Sequence, residues 1–507
     1  MANLFNSIKL TRPKTNQFDL SHDVKLSLNM GDLVPIMCME AVPGDRFKLS
    51  CESLLRFAPL VAPVMHRMNV TMHYFFVPNR IIWPKWEEFI TNGGTSGVVP
   101  TFPKMAIDQA IYDDFPHLLD YFGIPRPESV SAQEQISALP FAAYQKIYNE
   151  YYRDQNLIPE VMDTLINQGD QSMLQIRKRA WMHDYFTSAL PFAQKGNAVE
   201  IPLGDVTLKN DWSATEYSPH FEAPNKTSGT GALAQASGVP DKFITIGGVT
   251  QKNAYDPDGT LEVQPTTIND LRRAFRLQEW LERSARGGSR YIENILAHFG
   301  VRSSDKRLQR PEYITGIKTP VTVSEIVNTT GTPELPQGNM SGHAISVTQG
   351  NYGEYFAEEH GYIIGIMSVM PETAYSQGIP KHFLKTSDPF QYFWPSFANI
   401  GEQEVLNKEI YAWQGAAGNN TFGYVPRYAE YKFEQNRVAG DFRGNLDFWH
   451  LGRQFATPPQ LNQEFIECNP DDRIFAVTDP TVDKLYCHVY NKVKAIRPMP
   501  KFGTPQF

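Results

Sequence analysis

Alternating apolar and polar positions dominate the first 80 residues and predict β-strands there. From Val24 to Met30 every second residue is apolar, which is the period of a half-buried strand. The runs LVPIMCM, FKLSC and MNVTMHYFFVP follow, separated by turn residues such as Gly31-Asp32. Pro78 is expected to end the last run, because proline cannot donate to a β-ladder.

After residue 84 the pattern changes to a helical period. WPKWEEFI predicts a short helical turn that begins at a proline. In LPFAAYQKIYNEYYRDQNL, large apolar residues recur at steps of three and four between Phe141 and Tyr151, which predicts one face of a helix. The repeated tyrosines of this face are interpreted as packing residues and not as chemical groups.

Residues 266–300 contain the strongest helical pattern in the chain. Gly287-Gly288 divides the segment into two predicted helices, and Gly300 ends the second one. In the first helix one side is expected to consist of Leu271, Phe275, Gln278 and Leu281 or Trp280.

Beyond residue 310 strand patterns return, in ITGIKTPVTVSEIV and GYIIGIMSVM. Residues 204–260 carry little periodicity and are rich in Gly, Ser, Thr and Asn, so we interpret them as a surface insertion. The predicted organisation is an N-terminal part at 1–203, the insertion at 204–260, and a C-terminal part at 261–507. The fold class is mainly β with α insertions, and not an alternating βα pattern.

Composition adds the character of the surface. The chain has 507 residues, 20% of them charged and 12% aromatic. Length alone suggests about three domains. Few charges and many aromatic residues are typical of the cores of protein–protein interfaces. The formal net charge is 47 − 55 = −8, which argues against a protein whose whole surface binds nucleic acid.

Export and membrane insertion are not expected. No apolar run approaches the roughly 18 residues of a membrane span, and the first 20 residues lack the apolar stretch of a secretory signal. The four cysteines form no CxxC pair, which fits a reducing compartment.

Motifs for enzyme chemistry are weak. Gly229 to Ala234 matches a loose GxGxxA without the flanking strand and helix, and Asp256 to Gly259 resembles only a fragment of a calcium loop. We therefore predict no catalytic residue, no metal site and no cofactor. Carboxylate pairs of glycosidases are matched in space and not in sequence, so a cytosolic β-sandwich carbohydrate hydrolase with 204–260 as a lid stays open as the alternative. An adhesin is a third, weaker hypothesis.

Basic residues gather in three places. Residues 271–310 hold ten Arg or Lys against four Asp or Glu, which predicts either phosphate contacts or salt bridges along helices. The two termini are basic and free of acid over short stretches. The candidate nucleic-acid contacts in them are Lys9, Arg12, Lys14, Lys492, Lys494 and Arg497.

Long blocks spread over nearly the whole chain resemble the major capsid protein of the Microviridae, the small single-stranded DNA bacteriophages, and above all its gokushovirus branch. The blocks occur in the family's order: FDLSHDVKLSLNMGDLVPIMCMEAVPGD, PLVAPVMHRMNVTMHYFFVPNRIIWPKWEEFI, LPFAAYQKIYNEYYRDQNL, RAWMHDYFTSALPFAQKG, SARGGSRYIENILAHFGVRSSDKRLQRPEYI and FGYVPRYAEYKFEQNRVAGDFR. The match fades at residues 204–260.

The resemblance implies an eight-stranded antiparallel viral jelly roll with long insertions, and a T=1 icosahedral shell of about sixty copies around single-stranded DNA. It also implies a virion protein that is assembled in the bacterial cytoplasm and a minor or pilot protein as a partner. Residues 204–260 are the candidate for a protrusion at the three-fold axes, through which a host receptor is bound. At −8 per chain, about sixty copies carry on the order of −480, so we expect a separate small basic DNA-binding protein inside the shell.

Overall fold

The computed structural model describes residues 14–93, 97–129, 132–200, 267–333, 336–350 and 352–502, and the backbone of four short strands between 206 and 263. The chain divides into two compact units. Residues 194–284 form the smaller unit, and the rest of the chain forms the larger one.

Strands lie near both ends of the described chain, as the apolar alternation predicts. The strands are β1 (Asn16–Asp19), β2 (His22–Leu28), β3 (Val34–Ala41), β4 (Arg46–Phe57), β5 (Met68–Pro78), β6 (Lys104–Ile107), β7 (Glu134–Ser137), β8 (Val206–Leu208), β9 (Leu233–Gln235), β10 (Phe243–Thr245), β11 (Leu261–Val263), β12 (Glu312–Pro320), β13 (Thr322–Val327), β14 (Met340–Gln349), β15 (Gly353–Phe356), β16 (Gly361–Pro371), β17 (Glu402–Leu406), β18 (Thr421–Pro426) and β19 (Leu485–Arg497).

Most helices are short and lie in the connections between strands. The α-helices are α1 (Asn79–Ile82), α2 (Trp86–Ile90), α3 (Gln109–Asp114), α4 (Pro116–Tyr121), α5 (Leu139–Ile147), α6 (Ile268–Gly287), α7 (Tyr291–Phe299), α8 (Asn407–Ile410) and α9 (Gln463–Ile466). A π-helical turn continues α5 over Tyr148–Tyr152. Short 3-10 turns occupy Gln171–Leu174, Lys381–Leu384, Pro389–Gln391, Pro395–Phe397, Gly415–Asn419, Ala429–Tyr431, Gly440–Arg443 and Asp447–Trp449.

Two antiparallel sheets form the centre of the larger unit. A seven-stranded sheet has the order β1-β19-β4-β14-β13, with β2 also paired to β19 and β15 to β4. A four-stranded sheet has the order β12-β5-β16-β3. The predicted fold class, mainly β with α insertions, is confirmed at this level, and the three domains suggested by length are replaced by these two units.

The two sheets pack face to face around one hydrophobic core. Leu49, Leu55 and Val489 from the seven-stranded sheet share this core with Met72 and Met367 from the four-stranded sheet. Such packing of alternate residues from two sheets is the arrangement of a β-sandwich.

One buried polar connection joins the sheets. The Tyr74 hydroxyl donates to Asn491 Oδ1 at 2.8 Å, and Asn491 Nδ2 donates to the Ile36 carbonyl at 2.9 Å. Because buried polar groups must be paired, this connection favours one alignment of the two sheets.

A second core covers the other face of the four-stranded sheet. Phe75 and Ile364 point away from the sandwich and pack against α5 and its π turn, including Tyr144 and Tyr148. Every residue of β16 is buried as a result, since core lies on both of its faces. The prediction that the tyrosines near residue 150 are packing residues is confirmed for this face.

The smaller unit contains most of α6 and two short antiparallel ladders, β8 with β11 and β9 with β10. The Thr267 hydroxyl accepts from the Asp270 N–H at 3.2 Å, which caps the start of α6. The predicted apolar side of α6 was wrong in part. Leu271, Gln278 and Leu281 are partly buried, but Phe275 and Trp280 are exposed.

Candidate nucleic-acid interface

The predicted site residues Lys492 and Lys494 lie on β19, in the interior of the seven-stranded sheet. Alternate residues from Leu485 to Ala495 point into the sandwich core and are buried or nearly so. The residues between them therefore point away from the core, and these are Tyr486, His488, Tyr490, Lys492, Lys494 and Ile496.

The register of neighbouring strands adds further cations to this side. Residues that lie directly opposite each other in an antiparallel pair share a face. Lys494 lies opposite Lys48 of β4, Ile496 opposite Arg46, and Tyr486 opposite Arg56. His488 lies opposite Lys25 of β2. We call this surface the basic face and define it by Lys25, Arg46, Lys48, Arg56, Lys492 and Lys494.

The charge balance of the basic face has the opposite sign to that of the chain. Carboxylates at outward strand positions are Asp19, Asp23, Glu52 and Glu354. Six cations against four carboxylates give 6 − 4 = +2, in a chain whose net charge is −8. Positive charge is therefore concentrated on this side of the sheet.

Only part of this positive charge is neutralised by neighbours. Lys48 Nζ lies 3.6 Å from Glu354, and Lys492 forms an ion pair with Glu52. The hydrogen bond to Glu52 raises the pKa of Lys492. Within the described ranges, the other four cations of the basic face have no carboxylate within 4.0 Å.

The central row of the basic face contains two lysines on adjacent strands. Lys48 and Lys494 are directly opposite on adjacent strands, with Glu354 and Asp19 on the outer strands of the same row. Hydrogen bonds from the Ser21 hydroxyl and N–H lower the pKa of Asp19, with a smaller effect from Lys494. Like charges directly opposite each other destabilise a sheet, and the two carboxylates at the ends of the row offset part of that cost.

Aromatic rings lie between the cations. Arg46 stacks over Phe356 at 5.5 Å, Lys48 lies 5.0 Å from the centre of the Tyr352 ring, and Lys492 lies 5.8 Å from that of Tyr490. Phe356, Tyr352 and Tyr486 remain exposed. A basic surface with exposed rings can hold phosphates by charge and bases by stacking, which is how single strands are bound without sequence preference.

The other predicted contacts are placed differently. Lys14 is exposed just before β1, and Lys9 and Arg12 lie outside the described residues. Arg497 folds back on the chain: Nη2 donates to the Glu40 carbonyl at 2.6 Å, and Nε lies 3.3 Å from Asp45. Burial raises the pKa of Asp45, and Arg497 opposes that shift. The structure brings Lys492 and Lys494 together on one face and assigns Arg497 to a structural ion pair.

The basic residues between 271 and 310 mostly pair with acids. Arg276 and Arg283 both contact Glu279 within the smaller unit. In the larger unit Arg290 pairs with Glu293, and Arg310 lies 3.4 Å from Asp305. Of the two interpretations left open for this segment, salt bridges account for these side chains.

Among the described residues, no group of three or more His, Cys, Asp or Glu side chains is placed to hold a metal ion. The calcium-like Asp256–Gly259 segment lies outside them. In the described chain no helix is both long and apolar enough to span a bilayer.

Comparison with known proteins decides the family. The family model described as capsid protein (F protein) matches residues 6–507. The chain belongs to this capsid protein family. The resemblance seen in the sequence blocks is thereby confirmed.

Relatives named capsid protein VP1 match along nearly their whole length. The relative from Bdellovibrio phage phiMH2K is 38% identical over 98% of this chain and 96% of the relative. That of Chlamydia phage 1 is 35% identical, over 100% and 98% respectively. That of Spiroplasma virus 4 is 31% identical, over 99% and 97%.

These matches fix the broad function. The chain is a structural protein of a virion that assembles with copies of itself, and it is not an enzyme. The carbohydrate hydrolase and the adhesin are set aside for this reason.

Proposed function

We propose that about sixty copies of this capsid protein close into a T=1 icosahedral shell around single-stranded DNA, with the basic face of each copy turned toward the genome. The observation that carries the proposal is the concentration of cations and exposed rings on one sheet face of an acidic chain. Four cations of the basic face have no carboxylate partner among the described residues and are available for phosphates.

The proposed form of the sandwich is the eight-stranded viral jelly roll. Eight long strands in chain order, β2, β3, β4, β5, β12, β14, β16 and β19, alternate between the two sheets up to β5. Within the sheets their orders are β2-β19-β4-β14 and β3-β16-β5-β12. These orders support two Greek keys wrapped into one double sheet, which is the jelly-roll arrangement.

Neutralising the phosphate charge of the genome requires partners beyond this chain. The summed charge of about sixty copies is on the order of −480, so the basic faces offset only a local part of the phosphate charge. A small basic internal protein and counter-ions supply the rest in this proposal, and a minor or pilot protein accompanies them. Efficient formation of DNA-filled shells from this chain alone at ordinary salt would contradict this part.

Residues 204–260 are proposed as an exposed insertion that contacts the host surface, between the parts 1–203 and 261–507. Almost all of this segment lies outside the described residues, so the proposal depends on the sequence. Replacing residues 223–240 by a short Gly-Ser linker is expected to leave shells intact and to reduce attachment to host cells. Loss of shell assembly in that variant would contradict the assignment.

Electron microscopy of the purified chain tests the shell itself. Negative staining is expected to show closed particles roughly 250–300 Å across, a size estimated from closing about sixty domains of this mass. A protein that stays monomeric at all concentrations, with the partners above supplied, would overturn the proposal.

A further inference from the structure

A cluster of large aromatic side chains is exposed between Lys381 and Glu434, in a segment of the larger unit that contributes no strand to the basic face. We call it the aromatic patch and define it by Phe383, Phe390, Tyr392, Phe393, Trp394, Tyr431 and Phe433. Each of these side chains is between 43% and 65% exposed. The chain here forms short 3-10 turns, which cannot bury rings on both sides.

Local contacts hold several rings of the patch in place. Lys385 Nζ lies 4.0 Å from the centre of the Tyr431 ring and 5.7 Å from that of Tyr392. Phe393 lies 6.2 Å from Tyr431, and the Trp394 indole donates to the Pro389 carbonyl at 3.0 Å. The patch is therefore a preformed surface whose side chains lose little freedom when they are covered.

The charges beneath the patch are neutralised within the chain. Lys385 Nζ lies 2.7 Å from Glu430, and both side chains are largely buried. Lys381 likewise contacts Glu409 at 2.8 Å. An aromatic surface above such pairs resembles the core of an interface, and the exposed charges beside it, Lys432 and Glu434, are one of each sign. It offers no free cation from these pairs for a phosphate, which separates it from the basic face.

The area of the patch is that of a specific protein interface. An aromatic side chain presents roughly 150–250 Å². Seven such side chains at about half exposure therefore leave roughly 500–900 Å² uncovered, against about 800 Å² per partner in a standard interface. The largest apolar patch of a typical monomer is about 300–600 Å².

We propose that the aromatic patch packs against a second copy of this chain in the assembled shell. The inference rests on the proposed shell, and it assigns one contact between subunits to named residues. A second copy is the occupant the observations favour, because a capsid protein meets its own copies at high local concentration. The uncovered area is also enough for one stable interface.

Substitutions that introduce negative charge into the patch test this inference. Phe383→Glu combined with Phe433→Glu puts two carboxylates on the patch, and Met162→Glu combined with Ile166→Glu puts two on exposed positions outside both the patch and the basic face. The patch variant is expected to stay folded by circular dichroism but to need more than about tenfold higher subunit concentration for shell assembly. The control variant is expected to assemble near the wild-type concentration.

Oxidative footprinting of the unaltered protein gives an independent measurement. Tyr392 and Trp394 should be oxidised readily in free subunits and several-fold more slowly in shells. Equal assembly of the patch variant and the wild type, or equal oxidation in subunits and shells, would overturn the inference. If the wild-type chain forms no shell under any condition, the proposed function fails instead.

Discussion

Removing two cations from the basic face tests its role in DNA binding. We choose Arg46→Gln combined with Arg56→Gln, because both arginines are exposed at outward positions of β4. In the described part of the chain neither has a carboxylate within ion-pair distance, so the substitutions leave no acid unpaired. Glutamine keeps a long polar side chain, and β4 keeps its pairing with β19 through the backbone.

The expected magnitude follows from counter-ion release. Each phosphate contact to a single strand contributes about −0.7 to the slope of log K against log salt concentration. Loss of two contacts should therefore make the slope shallower by about 1.4. The same reasoning predicts binding about 25-fold weaker than wild type at 0.1 M salt, and nearly equal binding close to 1 M.

Fluorescence anisotropy with a labelled oligothymidine, at subunit concentrations below the assembly threshold, measures both quantities between about 0.05 and 0.3 M salt. The matched control is Lys85→Gln combined with Lys104→Gln, which removes the same charge from exposed positions outside the seven-stranded sheet. The control slope should stay near that of the wild type. An unchanged slope in the arginine variant, or an equal loss in the control, would refute the assignment of the basic face.

Two further predictions concern the sandwich. Burial, with help from Arg179, lowers the pKa of His73 to about 4, so the unfolded chain takes up a proton first as pH falls. The free energy of unfolding should drop by about 3 kcal/mol between pH 6.5 and 4 through this group, and urea titrations of His73→Asn should lack that component. The same pH dependence in both proteins would contradict the shift. Tyr74→Phe leaves the buried Asn491 Oδ1 without its donor and should lower the free energy of unfolding in urea by about 1–2 kcal/mol. The control Tyr490→Phe, on the outward face, should lower it by almost nothing. Equal losses in the two variants would contradict the inter-sheet connection.

Local periodicity predicted the strands that depend on burial alone. The alternation before Met30 became β2, and the apolar run GYIIGIMSVM became β16. Both patterns reflect contact with the core, and that contact determines which residues of a short stretch of sequence are apolar. The predicted apolar side of α6 was wrong at Phe275, which is exposed. The helical period of this segment admits more than one apolar stripe, and only packing decides which stripe is buried.

The candidate site depends on pairing between distant segments and could be predicted only in part. Net charge along the tail indicated Lys492 and Lys494. Arg46 and Lys48, which share the basic face with them, come from a strand more than 400 residues away, and no local signal links the two segments. The alternation of cations with apolar residues in RFKLSC, which contains Arg46 and Lys48, was a local sign that these two side chains share one face of a strand. Arg497 shows the limit of counting charges, because its side chain turns back to Asp45 at the end of β19.

The most direct test of the central claim is a density map of a DNA-filled particle at side-chain resolution. The account predicts a closed shell of about sixty copies whose seven-stranded sheets turn the basic face inward, with nucleic-acid density in contact with Arg46 and Lys494. A map in which that face points outward, or is covered by a neighbouring subunit, would contradict it.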